Sequence, residues 1–155
     1  MTLCYLGLGS NLHSPVRQLR QAIASLGKLP RSAIVRASKI HVSNPLGVRS
    51  QPIYFNLVIA IQTSLSAIQL LHHCQAIENK QQRVHKQHWG ARTLDIDILL
   101  YNKKTINTPS LTIPHPQMLK RDFVLVPLLE IAPMVCLPNN HLISPYLASC
   151  DRYIV

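Results

Sequence analysis

Residues 89–101 read Trp-Gly-Ala-Arg-Thr-Leu-Asp-Ile-Asp-Ile-Leu-Leu-Tyr, placing two acids inside an apolar, strand-forming run of a chain that has only six acids. A strand over residues 94–101 turns Asp95 and Asp97 to one face and Ile96, Ile98 and Leu100 to the other. The apolar face must be the core side, which constrains where this strand can sit in any fold. Two residues along a strand cover roughly 6.5–7 Å, and flexible side chains bring such carboxylates close enough to share one or two hard cations. In isolation an Asp-x-Asp pair is the wetted face of an edge strand. Here Arg92 stands three residues before Asp95, and a guanidinium beside cation-binding carboxylates is what a polyphosphate requires.

The rest of the chain supplies alternating strands and helices. Residues 3–8 form a short apolar strand, and Gly7-Leu8-Gly9-Ser10-Asn11 follows as a turn without the Gly-Lys-Ser/Thr ending of a P-loop. Ser14-Pro15 reads as an N-cap with proline at the first helical position. Val16, Leu19, Ala22, Ile23 and Leu26 then keep helical spacing to Gly27. Residues 34–42 and 55–63 alternate as strands, with a long loop between them that includes Asn44-Pro45-Leu46-Gly47. Ser66 caps a second helix running to about Lys80, with Ile68, Leu71, Ala76 and Ile77 as its apolar residues and Gln75 and Glu78 on one face. A polar, basic connection leads to the Asp-bearing strand. The order βαββαβ is the ferredoxin-like α+β arrangement, with further helical and irregular segments after Asn102.

At 155 residues the chain reads as a single domain, 1–155, with 47% hydrophobic residues and no need of a covalent staple. Cys4, Cys74, Cys136 and Cys150 lie far apart without a Cys-x-x-Cys pair, so they read as reduced, structural thiols of a cytoplasmic protein. No basic region followed by a long apolar stretch opens the sequence. Residues 123–137, its most apolar part, contain Pro127, Glu130 and Pro133 and make a poor membrane span. Sixteen Lys and Arg against six acids, a formal charge of +10, imply an anionic partner. Those cations are dispersed between Arg17 and Arg152, unlike a nucleic-acid-binding tail.

The stretch beginning at Trp89 resembles the signature of the 6-hydroxymethyl-7,8-dihydropterin pyrophosphokinase family, Trp-Gly-Pro-Arg-Thr-Leu-Asp-Leu-Asp-Ile, with Ala91 and Ile96 as the only departures. Ile113-Pro114-His115-Pro116 and the run from Arg121 through Phe123-Val124-Leu125 to Pro127-Leu128 also resemble this family, although Gln117 stands where an Arg is usual. So do Gly9-Ser10-Asn11, the Asn44 loop and Tyr54-Phe55-Asn56, and the resemblance runs from Tyr5 to Pro133. It implies transfer of pyrophosphate from ATP to the hydroxymethyl group of the pterin, with release of AMP, in folate biosynthesis.

Carried over by position, the resemblance implies magnesium ligands at Asp95 and Asp97, with two ions per ATP, and catalytic arginines at Arg83 and Arg92. It implies phosphate contacts at Lys86, His115 and Arg121, and further nucleotide-side positions at Gln75, Glu78, Trp89, Ile98 and Thr112. The pterin pocket would take Ser43, Leu46, Tyr54, Asn56 and Phe123, with two aromatic rings sandwiching the flat bicycle. The expected partners are ATP and the pterin, without nucleic acid or membrane, and the expected form is a monomer. Departures gather in Gln82-Arg83-Val84-His85, where the family usually has Gly-Arg-x-Arg. Losing that glycine is expected to restrict a lid that closes over ATP, and His85 stands as a titrating group where the family has a permanent cation. Two rival readings are an RNA-binding sheet and a histidine-rich metal site. The first needs exposed stacking aromatics, and aromatics are 5% here. The second would use His72, His73, Cys74, His85 and His88, whose spacing fits no standard zinc pattern.

Overall fold

The structure, a computed structural model, describes residues 1–45, 51–81 and 93–155. Its elements run β1 (Thr2–Ser10), α1 (Pro15–Leu26), β2 (Ser32–Ala37), β3 (His41–Ser43), β4 (Tyr54–Thr63), α2 (Ala67–Gln81), β5 (Asp95–Tyr101), β6 (Ile106–Asn107), β7 (Thr112–Ile113) and α3 (Asp122–Ile131). An antiparallel sheet in the order β2-β4-β1-β5, with β3 also on β4, carries the expected ferredoxin-like α+β topology, and β6 and β7 pair separately.

The two helices cover one face because their apolar residues recur at helical spacing. Leu19, Ala22 and Leu26 of α1 and Ala67, Leu70, Cys74 and Ile77 of α2 pack on Cys4, Leu6, Leu8, Leu57, Ile59, Ile61, Ile96 and Ile98. On α2 the buried stripe differs from expectation, since Ile68 is 41% exposed. Ser66 does cap this helix. Its Oγ accepts from the Gln69 N–H at 3.2 Å and the Gln69 side chain accepts from the Ser66 N–H at 2.9 Å, a reciprocal capping box. Ser14 behaves otherwise: at φ 62° it makes no side-chain cap bond, and α1 begins with the Gln18 N–H on the Ser14 carbonyl at 3.0 Å.

The expected single strand over residues 34–42 is two. Ala37 faces Ile59 and His41 faces Asn56, so four steps on one edge match three on β4. Ser38 still holds β4, its N–H donating to the Val58 carbonyl at 2.9 Å and its Oγ accepting from the Val58 N–H at 3.0 Å, and the chain then swings out to Glu130, which accepts from the Lys39 N–H at 2.7 Å and pairs with His41 at 2.8 Å.

The other face of the sheet is covered only in part. Val58, Ala60, Leu99 and Leu100 meet Met118, Leu125, Leu128, Ile131, Leu137 and Ile143. Leu100 was expected beside Ile96 and Ile98, but a register shift between Tyr5 and Leu6 of β1 puts Leu99 and Leu100 on the same face. Gly7 to Ser10, expected as a turn, continue β1 to its end. Beyond Leu99 and Val58 this face stays open, and the Asp residues of β5 stand there.

Among the described residues no helix is long and apolar enough to cross a membrane. Cys4 and Cys74 are buried, and burial pushes both thiols up to about 12, with the Glu78 carboxylate adding to the effect at Cys74. Cys136 is only half-buried. Brief alkylation of the native protein at pH 8, mapped by mass spectrometry, should therefore modify Cys136 and spare Cys4 and Cys74 until denaturant is added. Rapid native labelling of Cys4 would contradict its place under α1 and α2.

Candidate active site

Two glycines make the floor. By register Gly9 lies between Asp95 of β5 and Asn56 of β4, and Gly7 lies between Asp97 and Val58. A Cβ at Gly9 would sit 3.3 Å from Asn56 Oδ1, and one at Gly7 would touch Leu99 at 3.5 Å. Any larger side chain would therefore project into the open half of the sheet face and fill it. What the glycines leave is a cavity of about 290 Å³, lined also by Ser43, Tyr54, Asn56, Asp95, Asp97, His115, Arg121 and Phe123.

One end of this cavity is built for a flat polar ring. Tyr54 opens β4, Phe123 lies in the first turn of α3, and Asn56 and Ser43 are buried between. The Asn56 Nδ2 donates to Ser43 Oγ at 2.8 Å and to the His41 carbonyl at 3.3 Å, which turns Oδ1 toward Gly9. The amide thus presents an acceptor to the cavity while its donors are spent on the protein. Asn11, also buried, donates to the Pro52 carbonyl at 3.0 Å and to Gln51 Oε1 at 3.3 Å, tying the end of β1 to the chain that enters β4.

The other end is ionic. Asp95 and Asp97 share the face, and Asp97 is half exposed. His115 Nε2 lies 4.0 Å from Asp97 Oδ1. Its Nδ1 accepts from the Gln117 N–H at 3.1 Å, so a neutral ring carries its proton on Nε2, toward Asp97. Burial holds the imidazole below its ordinary pKa; Asp97 works against this and Arg121 adds to it. Arg121 lies over the Phe123 ring at 5.7 Å and so joins the two ends. The donor set at Asp95 and Asp97 is all carboxylate oxygen and opens on a cavity. It suits a hard cation that completes its shell with phosphate oxygens and water, not a closed protein cage.

The remaining expected positions distribute as follows. Glu78 lies on α2, behind the sheet, where its carboxylate accepts from the Ile96 N–H at 2.8 Å and so anchors the strand segment between the two Asp residues. Gln75 is exposed on α2, Ile98 is buried on the helix-covered face, and Thr112 is exposed on β7; none of them lines the cavity. Arg83, Lys86, Trp89, Arg92, Leu46 and His85 lie outside the described residues. Sequence reasoning missed Gly7 and Gly9 as floor residues, although two glycines at a spacing of two inside an apolar strand were the available signal. The rival histidine site loses Cys74 to the core. Among the described residues no group of three or more His, Cys, Asp or Glu is placed to hold a metal ion.

Comparison with known proteins shows what the chain as a whole is similar to. A family model for 7,8-dihydro-6-hydroxymethylpterin-pyrophosphokinase matches residues 5–133. The chain is 47% identical over 144 residues to the 2-amino-4-hydroxy-6-hydroxymethyldihydropteridine pyrophosphokinase of Haemophilus influenzae, covering 93% of this chain and 90% of that one. It is 42% identical over 146 residues to the enzyme of the same name from Pseudomonas aeruginosa, covering 94% and 90%. Among solved structures it is similar in fold to the HPPK-DHPS of Plasmodium falciparum with pteroate, at a TM-score of 0.75 and 14% identity, covering 96% of this chain and 42% of that one.

Proposed function

The chain belongs to the 7,8-dihydro-6-hydroxymethylpterin-pyrophosphokinase family, and from that membership we propose that the cavity over Gly7 and Gly9 is where its two substrates meet. The protein is an ATP-dependent pyrophosphokinase that transfers pyrophosphate from ATP to the hydroxymethyl group of 6-hydroxymethyl-7,8-dihydropterin in folate biosynthesis. The hydroxymethyl oxygen bonds to the β-phosphorus and loses its proton. The bond from that phosphorus to the α-phosphate's bridging oxygen breaks, and AMP leaves.

The pterin takes the end lined by Ser43, Tyr54, Asn56 and Phe123, with Leu46 from the preceding loop. Tyr54 and Phe123 offer ring faces to the bicycle, and Asn56 Oδ1 accepts from its N–H edge. The triphosphate takes the end lined by Asp95, Asp97, His115 and Arg121, with Arg83, Lys86 and Arg92 contributed by the preceding connection. Asp95 and Asp97 would hold magnesium, two ions per ATP, which would supply neutralisation of the phosphate charge. His115 Nε2–H and Arg121 donate to phosphate oxygens, and Arg83 and Arg92 stabilise the charge that builds on the departing nucleotide. Gln75, Glu78, Trp89, Ile98 and Thr112 serve the nucleotide side, Glu78 and Ile98 through the seating of β5. We take the working form to be a cytoplasmic monomer that binds neither nucleic acid nor membrane. That reading draws on four free thiols and on basic residues dispersed along the chain.

The observation that carries this assignment is that a paired-carboxylate end and an aromatic, amide-bearing end share one cavity. Incubation with ATP, magnesium and the hydroxymethyl-dihydropterin, followed by nucleotide separation, should yield AMP only when both pterin and magnesium are present. ADP as the sole nucleotide product would overturn it.

A further inference from the structure

The walls of the proposed pterin pocket come from elements far apart in sequence: Ser43 and Asn44 at the end of β3, and Phe123 at the start of α3. Residues 151–155 lie between them and are bonded to both. On one side the Asn44 N–H donates to the Tyr153 carbonyl at 2.8 Å, the Val155 N–H donates to the Val42 carbonyl at 3.1 Å, and Ser43 bridges Ile154 in antiparallel register. On the other side the Asp122 carboxylate, buried in the first turn of α3, accepts the Tyr153 N–H and the Ile154 N–H, each at 3.0 Å. The Asp151 N–H also donates to the Lys120 carbonyl at 3.1 Å, just before α3.

The same strap brings a ring to the pocket wall. Tyr153 packs against Phe123 with centroids 5.7 Å apart and planes at 76°, an edge contact. Tyr153 is not among the residues lining the cavity. Phe123 is therefore held between Arg121 on one side and the Tyr153 ring on another, and its tilt toward the cavity depends on both.

We infer that Tyr153 is a positioning residue for the pterin: the strap orients Phe123, and through it sets affinity for the flat ring without touching it. This rests on the reading of Phe123 as a pterin wall. A ring-on-ring contact has a shallow but directional optimum, so losing the Tyr153 edge frees Phe123 to rotate away from the stacking geometry. The effect falls on the pterin. At the phosphate end Asp95 and Asp97 stand on β5 and the His115 N–H donates to the Leu99 carbonyl, while the strap meets Arg121 through the backbone of Asp151, a bridge that substitutions of the Tyr153 side chain leave in place.

The test uses the full-length protein carrying Tyr153→Ala, Tyr153→Leu, Tyr153→Phe or Phe123→Ala. Titration calorimetry measures the pterin at a saturating, non-hydrolysable ATP analogue with magnesium, and measures the analogue separately. Tyr153→Ala should weaken the pterin by about threefold to tenfold and leave the analogue within about twofold. Tyr153→Leu, which keeps apolar bulk but no ring edge, should show most of the same loss. Tyr153→Phe, which keeps the edge contact, should restore the wild-type value. In the kinetics, KM for the pterin should rise while KM for ATP stays put. Equal losses for both ligands, or a Phe variant as weak as the Ala variant, would overturn the inference. If Phe123→Ala weakens the pterin and the Tyr153 variants do not, the strap is structural only and the pocket reading stands. If Phe123→Ala itself leaves pterin affinity unchanged, the pocket reading fails and takes the inference with it.

Discussion

Asp95→Ala and Asp97→Ala are each expected to lower turnover on the order of a thousandfold, about 4 kcal/mol of transition-state stabilisation. The reason lies in charge. A triphosphate and its attacking oxygen gather negative charge at one place, and the carboxylate pair at the open end of β5 is where the described part of the cavity concentrates all-oxygen ligands for a hard cation. Removing one would leave a single carboxylate of the proposed pair. Stability should respond differently. Asp97 is half exposed and shares its strand face with a second carboxylate, so losing it relieves repulsion in place of creating a cavity. Its melting temperature should stay within about 2 °C of wild type, no more than the low end of the roughly 2–4 °C that a 1 kcal/mol loss produces in a domain of this size. Turnover measured at saturating ATP and magnesium, beside thermal melting, checks both halves. Wild-type turnover in either variant would reduce that carboxylate to a surface acid.

Asp122→Ala should show the opposite pattern, a large loss of stability. This carboxylate is 4% exposed and takes two backbone N–H groups from residues 153 and 154 while standing at the N-terminus of α3, where a negative charge is favourable. Alanine strands both donors, at about 1–3 kcal/mol for each group left without a partner. Water reaching the half-buried strap moderates the sum to about 2–4 kcal/mol, or roughly 5–15 °C in melting temperature. Asp122→Asn keeps one acceptor oxygen and should lose less. If the alanine variant melts with wild type, residues 151–155 are not fastened by this side chain. Pterin affinity should fall along with stability here, which is why Tyr153, and not Asp122, isolates the positioning effect.

The sequence alone determined the order of strands and helices, because that order rests on local periodicity: a spacing of two in residues 55–63 and 94–98, a spacing of three to four in α1 and α2, and a Ser66 cap that needs only its own helix. It also determined that Asp95 and Asp97 share a face, since alternation holds wherever the strand is free of a bulge, as it is from Asp95 to Ile98. The resemblance to the family motif then suggested roles by position, which the variants above put to the test. Tertiary structure decided everything that depends on a neighbour. The break between β2 and β3 follows from Glu130, some ninety residues away, taking the Lys39 N–H. The facing of Leu100 follows from a register shift against β1. Gly7 and Gly9 read locally as chain reversal and become a pocket floor only because β4 and β5 flank them. Asp122 reads as an acid before an apolar run, and only the return of residues 153 and 154 makes it a pin. Periodicity reports which way a side chain points, whereas the partner it finds is set by contacts between residues distant in sequence.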